Sequence, residues 1–119
     1  MSLLARTRRF YGRLNRIPAA RRYLELLDRD VEVRLPGEVV CISVRRGRLT
    51  VRPGPARQPD RTVIATDADT WQKLISGTLR FSDTGGGLGG GPLRVVEGKG
   101  SWMDMSWLGI LTRLAQEHR

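Results

Sequence analysis

The first part of the chain carries apolar side chains at helical spacing. They recur every three to four positions, at Leu3, Leu4, Phe10, Tyr11 and Leu14. This period is typical of an amphipathic helix. Proline is tolerated in the first turn of a helix but not in its interior. We therefore predict that residues 3–28 form two helices, the second of which begins at Pro18 and carries Tyr23, Leu24 and Leu27 on its apolar side.

From Val31 the apolar period changes to two, which is typical of half-buried β-strands. Alternation runs from Val31 to Leu35, from Val40 to Val44 and from Leu49 to Val51. The dipeptide Arg46-Gly47 predicts a hairpin turn in which glycine takes a positive φ. Beyond a proline-rich loop over residues 53–59, the run RTVIAT at 61–66 predicts a further strand, and PLRVVEG at 92–98 predicts the last one.

The run TDADTWQKLISG, residues 66–77, predicts a helix with clear ends. Asp67 is a good N-cap, Asp69 suits the positive end of the helix dipole, and Gly77 is a natural stop. Trp71, Leu74 and Ile75 share one face of this helix. The predicted order is helix, three or four strands, helix, strand, helix.

The run GSWMDMSW, residues 100–107, opens a C-terminal helix, with Ser101 and Asp104 in a capping-box pattern. At 100° per residue, its inward arc is expected to hold Met103, Trp107, Ile110, Leu111 and Leu114, with Leu108 and Ala115 at the edge. Trp102 and Met105 fall outside this arc. These two apolar side chains need something other than the core to shield them from water, which could be the neighbouring glycine-rich segment, a ligand or a membrane.

The charge is strongly positive. The 119-residue chain, a length typical of one domain, has 21 Lys and Arg against 12 Asp and Glu, a net charge of +9. Arginine can signify phosphate recognition, although a GC-rich coding sequence would enrich it too. Seven arginines precede the first acidic residue, Glu25. Their helix face is either a solvated surface or a membrane-docking one, and the membrane-surface candidates are Arg6, Arg9, Arg13 and Arg16.

Few residues could carry covalent chemistry. The single histidine, His118, and the single cysteine, Cys41, lie far apart in sequence, and Cys41 on a strand is expected to be a small buried side chain. The GGGLGGGP segment, 85–92, is followed by a strand rather than the helix that a dinucleotide-binding loop needs. We therefore expect no enzyme, no metal site and no cofactor. One cysteine excludes an intrachain disulfide, which suits a cytoplasmic protein that could attach peripherally to a membrane.

The runs GRLTVRPG, PDRTVIATDADTWQKLISG and LRVVEGKG, followed by an apolar helix, resemble the sterol carrier protein type 2 family over residues 18–115. The resemblance implies an α/β (α+β) fold, with a mainly antiparallel five-stranded sheet covered by helices. It also implies an apolar tunnel for sterols, fatty acids, acyl chains or isoprenoids, and no covalent chemistry. The expected organisation is a basic helix over residues 1–17 and a lipid-binding part over 18–119 of one compact domain.

The resemblance, together with the positions of Trp102 and Met105 outside the inward arc of the last helix, predicts the site residues. The lipid-binding candidates are Trp71, Leu74, Ile75, Leu79, Phe81, Leu88, Trp102, Met105, Trp107, Leu108 and Leu111. Many family members have an apolar helix where this chain has TLRFSDTGGGLGGGP, so a loop with Leu88 as its apolar residue is expected instead. The partner would be an apolar small molecule. The alternatives are a nucleic-acid-binding protein, for which no base-recognition motif is present, or an accessory protein without a ligand.

Overall fold

The computed structural model describes residues 2–85, 91–98 and 101–118. The helices are α1 (Leu3–Gly12), α2 (Pro18–Leu26), α3 (Ala68–Ser76) and α4 (Ser101–Glu117), with 3₁₀ turns at Arg13–Arg16 and Phe81–Thr84. The strands are β1 (Arg29–Leu35), β2 (Glu38–Arg45), β3 (Arg48–Pro53), β4 (Arg61–Ala65) and β5 (Arg94–Glu97). The predicted order of helices and strands is confirmed.

The strands form one sheet in the order β3-β2-β1-β4-β5. Strand β1 runs parallel to β4, whereas the other three pairs are antiparallel, so the sheet is mixed but mainly antiparallel, as expected. The β2–β3 hairpin turns through Arg46 and Gly47, whose φ angles are 53° and 76°. Two positive φ angles are typical of a type I′ turn, which confirms the predicted position of this hairpin.

One face of the sheet packs against the helices. Val31, Val33, Ile42 and Val44 are fully buried on this face, and the core continues through α1 with Tyr11. Residues of the first helix thus belong to the same core as the sheet. The division of the chain at residue 17 stays a prediction.

The opposite face of the sheet carries two buried carboxylates, Asp30 and Glu32. Because β3 lies at the edge and β4 pairs with β1, the β3–β4 connection has to cross β2 and β1. Glu32 binds this connection, since its Oε1 accepts the backbone N–H of Ala56 at 3.0 Å. Asp30 accepts from Ser43 Oγ at 2.6 Å and pairs with Arg45 at 3.0 Å. Glu32 also pairs with Arg34 at 2.8 Å, so both buried charges are compensated, as burial requires.

Helix α3 ends as predicted. The Asp67 carboxylate accepts the backbone N–H of Thr70 at 2.7 Å, and this hydrogen bond holds the pKa of Asp67 below its ordinary value. Gly77 stops the helix in the left-handed conformation, with φ 82°. Trp71 is fully buried, and its Nε1 donates to Thr7 Oγ1 at 2.9 Å. This bond joins α3 to α1 across the core.

The predicted orientation of α4 is wrong at three positions. Met103 and Ile110, expected inward, are 55% and 40% exposed, whereas Met105, expected outward, is only 5% exposed. The buried face includes the polar residues Asp104 and Thr112, both fully buried. Polar partners elsewhere in the chain draw these two residues inward, so the helix is rotated from the orientation that its apolar residues alone predict.

The segment between α3 and β5 contains one more element than predicted. Residues Phe81–Thr84 form a 3₁₀ turn where a loop was expected, and Thr84 Oγ1 donates to the carbonyl of Phe81 at 2.6 Å. The predicted apolar residue of the following loop, Leu88, lies outside the described residues. The second 3₁₀ turn matters for the site because it faces α4.

Candidate functional site

A groove of about 1100 Å³ runs between α4 and the second 3₁₀ turn, beside β5. We call it the apolar groove. Its apolar lining residues are Phe81, Val95, Trp102, Met105 and Ile110, together with Gly109. These side chains come from three separate elements, so the groove exists only in the folded chain.

A close approach between α4 and the 3₁₀ turn shapes the middle of the groove. A Cβ placed on Gly109 would lie 3.1 Å from Cδ1 of Phe81, closer than most such contacts. Glycine inside a helix costs about 1 kcal/mol relative to alanine. Gly109 therefore lowers the intrinsic stability of α4 but allows Phe81 to pack closely against the helix.

Trp102 is the most exposed large apolar side chain of the groove, with 73% of its surface accessible, whereas Met105 is buried. Both residues line the groove. They are the two residues that the sequence predicted to need something other than the core to shield them from water. A tryptophan left in water gives the groove a large apolar surface that a ligand could bury.

The other end of the groove is polar. Arg80, Arg113 and Gln116 lie there, and Arg113 pairs with Glu117 at 2.9 Å. Gln116 Nε2 donates to the carbonyls of Leu74 at 3.0 Å and Leu79 at 2.9 Å. These bonds attach the end of α4 to the C-terminal end of α3. The groove thus has an apolar half and a charged half.

The first turn of α4 is anchored by Asp104, which is fully buried. Arg29 binds both of its carboxylate oxygens, with Nε–Oδ1 at 2.9 Å and Nη2–Oδ2 at 2.7 Å. Thr62 Oγ1 and Trp107 Nε1 donate to the same carboxylate, the latter at 2.8 Å. The hydrogen bond to Asp104 raises the pKa of Arg29 further above its ordinary value. Sequence reasoning assigned Asp104 to a helix cap and missed these partners.

The remaining lipid-binding candidates lie elsewhere. Trp71, Leu74, Ile75, Trp107, Leu108 and Leu111 are buried in the core and do not line the apolar groove. Leu79 is half-buried, and its carbonyl is held by Gln116. A ligand in the groove would touch the predicted residues Phe81, Trp102 and Met105. Ligand contact with the six core residues stays a prediction.

The arginines predicted to form a membrane surface differ in exposure. Arg9 and Arg16 are exposed, whereas Arg6 and Arg13 are half-buried. The Arg13 guanidinium carbon lies 5.3 Å from the ring centroid of Phe10, a cation–π arrangement. Arg9 and Arg16 also line a second groove, formed with β3.

No cluster of three or more His, Cys, Asp or Glu side chains that could hold a metal ion occurs among residues 2–85, 91–98 and 101–118. Burial raises the pKa of Cys41 to about 11, so its thiol stays protonated near neutral pH. Over the same residues, no helix has both the length and the apolar character needed to cross a bilayer.

Solved structures share this architecture. Sterol carrier protein 2 superposes with a TM-score of 0.65 at 20% identity, and the alignment covers 95% of each chain. The chain has the sterol carrier protein 2 fold. Palmitated SCP2L2 from Aedes aegypti gives a TM-score of 0.64 at 15% identity, covering 97% of this chain and 95% of that one. UbiJ-SCP2, a ubiquinone synthesis protein, gives 0.64 at 18%, covering 95% of each.

Sequence comparisons add no further relative. No protein-family model matches the chain, and no curated protein matches it significantly. At identities of 15–20%, the structural similarity establishes the sterol carrier protein 2 fold but does not identify a ligand.

Proposed function

We propose that this chain binds a lipid-like apolar ligand in the apolar groove and carries it without covalent chemistry. The observation that supports this most directly is Trp102, which is 73% exposed while lining a groove of about 1100 Å³. Small-molecule sites typically have volumes of about 300–1000 Å³. Each methylene group removed from water contributes about 0.8 kcal/mol, so an acyl chain along α4 is a suitable ligand.

The structural neighbours support this ligand class. Their names refer to a sterol carrier, a palmitated protein and a ubiquinone synthesis protein. For this chain we propose a sterol, a fatty acid, another acyl chain or an isoprenoid. The charged half of the groove, with Arg80 and Arg113, would hold the polar end of an amphiphile.

Loading would take place at an anionic membrane surface. The chain has a net charge of +9, and Arg9 and Arg16 project from its first helical region into solvent. Basic side chains near an anionic bilayer contribute about 1 kcal/mol each. We propose peripheral, reversible attachment through Arg6, Arg9, Arg13 and Arg16.

Palmitate binding by the Trp102→Ala variant tests the proposal. Trp102 lines the groove, so its truncation should weaken binding at least about tenfold, as expected for a large apolar contact. The matched control is Met103→Ala, because Met103 is also exposed on α4 but does not line the groove. Isothermal titration calorimetry with palmitate measures both variants, and native mass spectrometry identifies any lipid that co-purifies.

Two results would contradict the proposal. The first is wild-type protein that neither carries a lipid from cells nor takes up palmitate or cholesterol. The second is an equal loss of affinity in the Trp102 and Met103 variants, which would indicate nonspecific surface adsorption rather than binding in the groove.

A further inference from the structure

A second groove, of about 540 Å³, lies between the N-terminal helical region and strand β3. Four arginines line it, namely Arg8, Arg9, Arg16 and Arg48. We call it the arginine groove. The first three follow one another along α1 and the first 3₁₀ turn, whereas Arg48 comes from β3 on the other side.

Two side chains fasten the walls of the arginine groove together. Asn15 forms a pair of hydrogen bonds with the backbone of Leu49, donating from Nδ2 to the carbonyl and accepting at Oδ1 from the N–H, each at 2.8 Å. Arg8 Nε donates to the carbonyl of Val51 at 3.0 Å. These bonds satisfy the free edge of β3 at alternate residues. The distance between the two walls is thereby fixed.

Three arginines of the arginine groove have no acidic partner. No carboxylate is among its lining residues. Within the described part of the chain, Arg9, Arg16 and Arg48 take part in no ion pair. By contrast, Arg29 and Arg45 each pair with two acids. Several like charges around one concavity raise its positive potential and attract anions.

We propose that the arginine groove is a binding site for a phosphate group, carried by a membrane phospholipid or by a soluble phosphorylated compound. Guanidinium groups form paired hydrogen bonds to phosphate oxygens, which a scattered surface charge does not provide. The fixed spacing of the two walls makes this a discrete site. A volume of about 540 Å³ leaves room for the group that is esterified to the phosphate.

The arginine groove is separate from the apolar groove. It lies at the β3 edge of the sheet, whereas the apolar groove lies beside β5 at the opposite edge. Four inter-strand spacings put the two edges roughly 19 Å apart. The phosphate site therefore does not depend on the proposed lipid ligand, although it shares Arg9 and Arg16 with the proposed membrane surface. Lipid binding in the apolar groove and phosphate binding in the arginine groove can each fail alone.

Titration with inorganic pyrophosphate at 0.15 M salt, followed by two-dimensional NMR, tests the site. Wild-type protein should bind saturably, with shifts at Asn15, Arg48 and Thr50. Arg48→Gln should weaken binding at least about tenfold, the loss of a charge-assisted hydrogen-bond pair. The matched control is Arg94→Gln, which removes an exposed arginine from β5 at the other edge and should leave affinity within about twofold. The double variant Arg9→Gln/Arg16→Gln provides an independent test if Arg48→Gln is poorly folded.

Two further probes identify the source of the phosphate. Vesicles containing phosphatidic acid that bind more tightly than pyrophosphate, in an Arg48-dependent manner, would indicate a phospholipid. Tighter binding of pyrophosphate would indicate a soluble compound. Equal losses in the Arg48 and Arg94 variants would show diffuse charge attraction and overturn the proposal. An oligouridylate that binds more tightly than either phosphate probe would also overturn it, in favour of a nucleic-acid interface.

Discussion

At the scale of single residues, Asp104 is the side chain whose removal should cost the most stability. It is fully buried and bound by Arg29 through two oxygens. Its removal takes the acceptor from Arg29, Thr62 and Trp107, and breaking a buried ion pair costs about 3–5 kcal/mol. We therefore expect Asp104→Ala to lower the free energy of unfolding by that amount, measured by urea denaturation followed by tryptophan fluorescence.

The control for this prediction uses the same arginine. Asp60 pairs with Arg29 at 2.7 Å, but its side chain is 72% exposed. Exposed ion pairs contribute about 0–1 kcal/mol, so Asp60→Ala should unfold almost like the wild type. Similar losses in the two variants would mean that burial does not determine the contribution of Asp104.

Asp104 also shows what sequence analysis could not provide. Its position in a capping-box pattern is visible in the sequence, but its partners Arg29 and Thr62 lie 75 and 42 residues away in the chain. Thr112 is similar, because its hydroxyl lies 2.9 Å from the hydroxyl of Tyr11, 101 residues distant. The spacing of apolar residues cannot predict hydrogen bonds between polar side chains that lie far apart in the sequence. The orientation of α4 was therefore mispredicted at Met103, Met105 and Ile110.

At the scale of secondary-structure elements, the ends of α3 illustrate what was predictable. Asp67 and Gly77 act through neighbours no more than four residues away, so the local sequence is sufficient to predict them. The hairpin at Gly47 and the helix start at Pro18 are equally local. The arginine groove is not, because it combines a helical region with a strand that lies more than thirty residues further along the chain.

The cap of α3 gives a prediction with a pH dependence. Its hydrogen bonds to Thr70 lower the folded-state pKa of Asp67 below the unfolded value of about 3.9. The carboxylate therefore contributes its full stability above about pH 4, and this contribution is lost as the pH falls through the folded-state pKa. Asp67→Ala should destabilise the protein by about 1 kcal/mol at pH 7 and by clearly less at pH 2.5.

Thermal denaturation at the two pH values measures this difference. The Asp67→Asn variant is the control, because asparagine caps helices about as well as aspartate but does not titrate. Asp67→Asn should therefore remain more stable to heat than Asp67→Ala at pH 2.5. If the wild type keeps its full advantage over Asp67→Ala at pH 2.5, the charge of Asp67 is not what stabilises the helix.

At the scale of the whole molecule, the sheet separates two surfaces of different chemistry. The apolar groove lies at the β5 edge, and the exposed arginines of the first helical region lie at the β3 edge. A membrane that attracts Arg9 and Arg16 would therefore not cover Trp102 at the same time by the same edge. Electrostatic attachment and insertion of the groove into the bilayer should be separable by mutation.

Vesicle binding in increasing salt tests this separation. With vesicles containing phosphatidylserine, Arg9→Gln/Arg16→Gln should lower affinity roughly thirtyfold at low salt, corresponding to about 1 kcal/mol for each arginine. The loss should shrink toward high salt, since screening weakens exposed charges. The control Arg57→Gln/Arg94→Gln removes the same charge from exposed positions away from α1. Trp102→Ala should change palmitate transfer but leave the salt dependence of vesicle binding intact. If the vesicle affinity of the wild type does not change with salt, apolar insertion rather than the arginines of the β3 edge holds the protein on the membrane.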